Sequence, residues 1–304
     1  MSSYFIRSKF RPSFRVHLSE VYPFLKFGLP VVISSSFYYL YTKADRFFGG
    51  SALGAEMLGY YAVALQLAAI PVEKIVTLIQ GVLYPTLCKV KDNLDEFKKI
   101  YLCFISIVAL VTFPIYFSGY ILADDVVPYV IGEKWRPAMP SFKLLLIGQL
   151  IMAISSPNTL IHFARGKPAW NMIFNAILAP TLIFAFYYTA SLKNLDVLAV
   201  PWVLVYPIFT FSYILITNKE MDIPLLRYLR AYRHPLAGSL LVALFVVLFK
   251  MNWLTNGSIG IFKLISIVLG AISIYIGYFL TFGRNYTAYL KSVFNGIELE
   301  KSQF

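Results

Sequence analysis

Charge is scarce in this sequence. Only 14% of its 304 residues are Asp, Glu, Lys or Arg, and just 15 are acidic. Soluble domains carry roughly a quarter charged residues, so a water-soluble enzyme domain is excluded, as is a disordered or collagen-like chain. There are two cysteines and three histidines. Cys88 and Cys103 fall near one border of the apolar runs and offer no disulfide framework. His17, His162 and His234 are widely separated, and no H-E-x-x-H or Cys/His cluster is present, so no metal site is expected. No G-x-x-x-x-G-K-[ST] loop occurs either, which removes an ATPase engine from this chain. No long polar stretch can house a catalytic domain. The chain reads as a non-enzyme without a cofactor.

Apolar residues take the place of charge: 59% of the chain is hydrophobic, with a mean hydropathy of +0.68. Eight runs are long enough to cross a hydrocarbon core of ~30 Å. They are Pro23 to Gly49, Ala55 to Cys88, Phe97 to Leu122, Met139 to Phe163, Ala169 to Ala190, Leu195 to Thr217, Pro235 to Trp253 and Ile259 to Phe282. No ten-residue alternation suggests a barrel, and only a helix otherwise satisfies its own backbone in lipid. The expected fold is all-α, a polytopic membrane helical bundle of about eight transmembrane helices.

The 27 basic residues give a net charge of +12, and their placement explains it. The N-terminus, residues 89–96, 164–168, 218–234 and the C-terminus hold 18 Lys and Arg, counting those at helix borders. The alternate connections hold 3: Lys134, Arg136 and Lys193. This asymmetry is the positive-inside bias, and it predicts both termini in the cytoplasm. The charge then serves topology and attraction to anionic lipid, worth ~1 kcal/mol per basic residue near the surface. No nucleic-acid partner is expected, because such a surface needs its charges on one folded face. The first apolar run is too long for a signal peptide and lacks a cleavage site. Arg11 to Lys26 reads as a basic segment along the cytoplasmic interface.

Ionisable groups inside spans are costly, ~2.5–3.5 kcal/mol each on insertion scales. Lys43, Asp45 and Arg46 cluster in the first span, where two accounts stand side by side: a functional charge cluster, or cations snorkelling from the outer end. Glu73 and Lys74 follow Pro71 and lie ~27 Å into the second span. Neighbouring helical residues point about 100° apart, so one of this pair is expected to face a polar cavity. Ser155-Ser156-Pro157-Asn158 interrupts the fourth span and leaves backbone groups free at Pro157. Gln66, Gln80 and Gln149 either line the same cavity or join helices. Tyr38, Tyr39, Tyr41, Phe47, Phe48, Tyr60, Tyr61, Trp135, Tyr187, Tyr188 and Trp253 cluster near span borders, as interfacial anchors or, for some, sugar-stacking rings. The outer connection from Ala123 to Ala138 carries Asp124, Asp125 and Glu133, which read as solvated loop charge.

Several short motifs in order resemble a known family. They are Lys26-Phe27-Gly28-Leu29-Pro30, Ala44-Asp45-Arg46-Phe47-Phe48-Gly49-Gly50, Leu53-Gly54-Ala55-Glu56-Met57-Leu58-Gly59-Tyr60-Tyr61 and Pro71-Val72-Glu73-Lys74-Ile75. Tyr84-Pro85 and Gly132-Glu133-Lys134-Trp135 continue the series. Together they resemble the polysaccharide transporter group of the MOP flippase superfamily, nearest to members that export colanic or teichuronic acid.

The resemblance implies movement of undecaprenyl-pyrophosphate-linked sugar units from the cytoplasmic to the outer leaflet of a bacterial inner membrane. Family members carry two six-helix lobes, sometimes with two extra helices, and the motifs here begin where the second lobe starts. The implied layout is a linker-like basic segment over 1–22, a six-helix lobe over 23–217, a cytoplasmic loop over 218–234, two additional spans over 235–283 and a cytoplasmic tail over 284–304. Such a chain would need a separate N-terminal lobe, or a second copy, besides the lipid-linked oligosaccharide and the bilayer. Lys43, Arg46 and Lys74 are then the expected cationic hosts for the substrate, with Asp45 and Glu73 pairing with them or coupling to a cation gradient. A cation-coupled drug exporter of the same superfamily, a membrane glycan polymerase and a non-transporting remnant are the alternatives.

Overall fold

The computed structural model describes residues 18–254 and 261–301, and every regular element among them is helical. The chain runs through α1 (Leu18–Pro71), a π-helical turn (Val72–Val76), α2 (Thr77–Lys89) and α3 (Leu94–Ile131). A 3-10 turn (Glu133–Ala138) leads into α4 (Met139–Ala164), followed by α5 (Ala169–Ser191), the short α6 (Leu195–Leu198) and α7 (Val200–Glu220). Then come α8 (Leu225–Arg230), α9 (Arg233–Phe249), a second π-helical turn (Lys250–Leu254), α10 (Ile261–Thr281) and α11 (Arg284–Lys301).

Seven helical stretches among the described residues are long and apolar enough to cross a membrane. One of them, Val21–Lys89, contains 69 residues. As a straight helix it would be ~100 Å long, over three times the hydrocarbon core. It breaks at Gly54 (φ 81°, ψ 172°), a conformation essentially closed to other residues. The Tyr61 hydroxyl donates to Asp45 Oδ2 at 3.0 Å. Those residues would lie ~24 Å apart on an unbroken helix, so the chain folds back at Gly54. The stretch is a hairpin of two spans, which brings the crossings to the eight expected from the apolar runs. This is a multi-pass membrane protein.

The surface fits that solvent. Phe24, Leu78 and Phe262 are 78%, 73% and 83% exposed, while Asp45, Gln149, Asn158 and Asn171 are buried. Between helices in lipid there is little hydrophobic driving force, so polar ties and close packing hold the bundle. Asn175 Nδ2 donates to Ser34 Oγ at 2.9 Å, joining α5 to the first arm of α1. Tyr101 Oη donates to Asn158 Oδ1 at 2.8 Å, joining α3 to α4. The absent side chain of Gly148 lets α4 approach α7, since a Cβ there would stand 2.8 Å from Trp202 Cβ. Polar caps set the borders: Asn93 Oδ1 accepts from Glu96 N at 3.3 Å, and Asn194 Oδ1 from Asp196 N at 2.9 Å. Gly132 at φ 106° ends α3.

Two prolines show how the spans tolerate a missing donor. Pro157 does not break α4; the carbonyl it leaves free, Ala153 O, accepts from Ser156 Oγ at 2.9 Å. Pro114 likewise frees Leu110 O, which accepts from Tyr275 Oη at 2.6 Å. That second bond docks α10 on α3, beside an apolar cluster of Leu122, Val242, Val246 and Ile267.

Three expectations change in detail. Residues 123–138 are not a loop: α3 runs to Ile131 and a 3-10 turn follows. Asp124 pairs with Lys143 and Asp125 with Lys250, so these two are committed rather than simply solvated, while Glu133, paired with Arg136, stays 72% exposed as a solvated charge does. Within the 218–234 connection lies α8, and helix α11 occupies 284–301. Of the interfacial segment, residues 11–17 lie outside the described residues.

The hairpin gives a direct prediction. Gly54→Val should destabilise the protein by about 1–3 kcal/mol through forced backbone strain. Gly59→Ala, in open helical surroundings, should be neutral. Thermal midpoints of the detergent-solubilised variants distinguish the two.

Candidate functional site

A polar recess inside the bundle forms a cavity of about 420 Å³. The first arm of α1 contributes Ser34, Ser35, Tyr38 and Tyr41, and the π-helical turn contributes Glu73. From α2 come Thr77 and Gln80; from α4, Ser155, Ser156 and Thr159. Asn175 of α5 and Tyr206 and Tyr213 of α7 complete the polar lining. Glu73 is the sole charged side chain among the lining residues.

Local sequence builds this recess. Pro71 cannot donate to its own helix, and the following turn widens to π-helical geometry, with Thr77 N bonded to Val72 O five residues back. Tyr116 Oη braces the preceding turn by donating to Ala68 O at 3.1 Å. The wide turn presents Glu73 to the cavity. Across from it, Ser155 Oγ lies 2.9 Å from Tyr206 Oη, so the α4 and α7 walls are tied through the lining itself. Hydroxyls, amides and phenol rings around one carboxylate suit a ligand rich in hydrogen-bonding groups, with ring faces able to stack.

The five charged residues singled out in the sequence do not converge. Glu73 and Lys74 are both exposed, but only Glu73 lines the cavity. Lys43 is also exposed, with Nζ 5.6 Å from the Tyr39 ring centre. Asp45 is 0% exposed and sits in the apolar core with Tyr41, Ala64 and Phe186. It accepts from Tyr61 Oη at 3.0 Å, Trp202 Nε1 at 3.1 Å and the Arg46 backbone at 2.7 Å. Arg46 is the nearest cation, with Nε at 3.8 Å, a 38% exposed side chain and a further bond to Thr42 O at 3.2 Å. Asp45 therefore knots both arms of the hairpin to α7.

Of the three glutamines, Gln80 lines the cavity, Gln149 is buried elsewhere and Gln66 is exposed. Tyr41, which lines the cavity, and Tyr61 are buried, so these two are not interfacial anchors; Tyr38 also lines the cavity and is 46% exposed. Phe47, Tyr187 and Tyr188 are exposed as anchors would be. Sequence reading passed over Ser34, Ser35, Asn175 and Tyr206. Their signal was polarity within apolar runs, the same signal that drew attention to Ser155 and Ser156.

Fold and cavity together define a class: an all-α, multi-pass membrane protein with a polar chamber inside its bundle. The sequence narrows this. Residues 1–140 match the family described as Polysaccharide biosynthesis protein. It is 28% identical over 172 residues to the Lipopolysaccharide biosynthesis protein WzxC of Escherichia coli (strain K12), covering 57% of this chain and 35% of that protein. To the Teichuronic acid biosynthesis protein TuaB of Bacillus subtilis (strain 168) it is 28% identical over 197 residues, 65% of this chain and 40% of that one. To the Succinoglycan biosynthesis transport protein ExoT of Rhizobium meliloti (strain 1021) it is 25% identical over 239 residues, 78% and 45% of the two chains. The chain thus spans less than half the length of these curated relatives. They bear out the resemblance to the polysaccharide transporter group. No solved structure matches the chain.

Removing the Asp45 carboxylate leaves two buried donors unpaired, each worth about 1–3 kcal/mol. Asp45→Ala should therefore lower the thermal midpoint in detergent more than Tyr61→Phe or Trp202→Phe. The Asp45→Ala/Tyr61→Phe double variant should lose less than the two single losses added.

Proposed function

We propose that this chain is the second-lobe portion of a carrier that moves undecaprenyl-pyrophosphate-linked oligosaccharide units to the outer leaflet for surface polysaccharide synthesis. The reading places the chain in a bacterial inner membrane with both termini cytoplasmic, and it involves no enzymatic step. The observation that carries it is the polar intramembrane chamber in a chain related to polysaccharide biosynthesis and transport proteins. A passive or soluble scaffold has no need of such a chamber, whereas sugar hydroxyls crossing lipid need hydrogen-bonding hosts throughout.

In this reading the six-helix lobe covers 23–217, and the spans within 235–283 are an added pair docked on α3. The opposite wall of the transport path comes from an N-terminal lobe or a second copy, because alternating access works by one repeat rocking against another. Glu73 is the coupling or sugar-orienting group, supported by its place in the lining. Lys74 and Arg46 are the candidates for pyrophosphate, supported by their exposure beside Glu73 and Asp45, with Lys43 a third cation on the same arm as Arg46. Asp45 serves by holding Arg46 and the hairpin in place.

A second reading, a cation-coupled drug exporter, is favoured by one observation. The chamber's single charge is negative, which suits a cationic cargo. A glycan polymerase fits less well, since Asp124, Asp125 and Glu133 are each held by a cation.

Cells that accumulate lipid-linked units for want of an exporter separate these readings. Expression of the chain together with a separately encoded N-terminal lobe should drain that pool and restore surface polysaccharide. Glu73→Gln, at equal protein level, should cut the restored export about tenfold, the scale of one lost charge-assisted hydrogen bond. Dye efflux without polysaccharide would favour the second reading, and an unchanged pool without efflux would contradict both.

A further inference from the structure

A second polar cleft, of about 480 Å³, lies at the end of the bundle that carries the 218–234 connection. Arg230, Arg233, His234, Asn285, Tyr286 and Tyr289 line it. Arg230 closes α8, Arg233 and His234 open α9, and Asn285 and Tyr286 open α11. Two helix N-termini therefore converge on one cleft, and neither carries an acid in its first turn. Such termini present unpaired backbone N–H groups and the positive end of a helix dipole.

The cations are unengaged as well. Among the described residues, neither Arg230 nor Arg233 pairs with a carboxylate, whereas Arg165 and Lys167 at the same end are both held by Glu220. Arg233 spends one guanidinium nitrogen on His234 Nε2 at 3.0 Å, and His234 Nδ1 lies 3.1 Å from Tyr278 Oη. Both arginines are exposed. The Tyr286 hydroxyl lies near Ser106 of α3. Tyr289 also borders a neighbouring cavity lined by Asp95, Glu96 and Lys99.

We propose that this cleft binds a phosphate group. Arg230 and Arg233 grip its oxygens with bidentate forks, and the start of α9 and α11 supplies backbone donors. A basic pocket among helix ends at a membrane surface suits the phosphate of an anionic lipid headgroup. A free phosphate offers the same oxygens, and the experiment distinguishes the two sources. Occupation would clamp α8, α9 and α11 together, tying the added helix pair to the surface of one leaflet.

The test uses the full chain in neutral detergent, with native mass spectrometry to measure binding of dioctanoyl-phosphatidylglycerol. Each of Arg230→Gln and Arg233→Gln should weaken binding about fivefold, and the double variant about 30-fold. Arg230→Lys/Arg233→Lys should fall between, keeping charge but not the fork. Lys89→Gln, exposed at the same end but outside the cleft, should leave binding unchanged. If millimolar inorganic phosphate displaces the lipid, free phosphate is a ligand of the site; if it does not, the headgroup is. Equal binding of dioctanoyl-phosphatidylcholine, or full binding by the double glutamine variant, would overturn the proposal. Unchanged thermal midpoints of the variants would show that their fold is intact.

Discussion

A polar atom buried in a membrane bundle has no water to fall back on, and Asp45 is the severest case here. Its carboxylate is wholly enclosed, and three donors from three places in the chain converge on it. Two of them, Tyr61 and Trp202, lie on other spans, so satisfying one side chain fixes how the hairpin closes and where α7 stands. The same rule recurs across the bundle in the pairs Ser34 with Asn175, Tyr101 with Asn158, Ser155 with Tyr206 and His162 with Thr217. Because lipid tails are as apolar as leucine, these pairs and the close approach at Gly148 do what a hydrophobic core does in water. Around Glu73 the rule relaxes, and polar groups face one another across open volume.

The distribution of charge follows from that economy. Acids and bases facing the chamber number one, Glu73. Besides Asp45 with Arg46, Glu220 holds Arg165 and Lys167 at one end of the bundle, and Asp124 and Asp125 hold Lys143 and Lys250 at the other. Among the described residues, Arg230 and Arg233 pair with no carboxylate and line the cleft beside α8, α9 and α11. Neutral hydrogen-bonding groups thus line the interior chamber, and arginines without carboxylate partners line the surface cleft. A substrate that joins a sugar to a phosphate has both needs.

The spans were readable from the sequence because a crossing helix is announced by the length of an apolar run, which needs no knowledge of its neighbours. Gly54, too, sits at the boundary between two such runs. The choice between Glu73 and Lys74 was not readable. A helix apolar on nearly every side gives no phase, and the π-helical turn after Pro71 shifts the phase again. Rescue of Pro157 was half visible, since Ser156 is its neighbour, but rescue of Pro114 depends on Tyr275 from a distant span. The tyrosines misled for a related reason: an amphipathic ring suits a membrane border and a polar chamber equally well. Asp124 and Asp125 looked solvated because their partners, Lys143 and Lys250, lie in later helices.

The account rests on the chamber being a wet, polar space within the bilayer, and thiol accessibility tests this most directly. In a chain whose Cys88 and Cys103 are replaced by alanine, single cysteines at Gln80 and Ser156 should react with a membrane-impermeant maleimide in native vesicles, from at least one side. Cysteines at the lipid-facing Phe184 and Ile208 should not. Equal silence at all four positions, with the protein folded and inserted, would mean that no aqueous chamber exists.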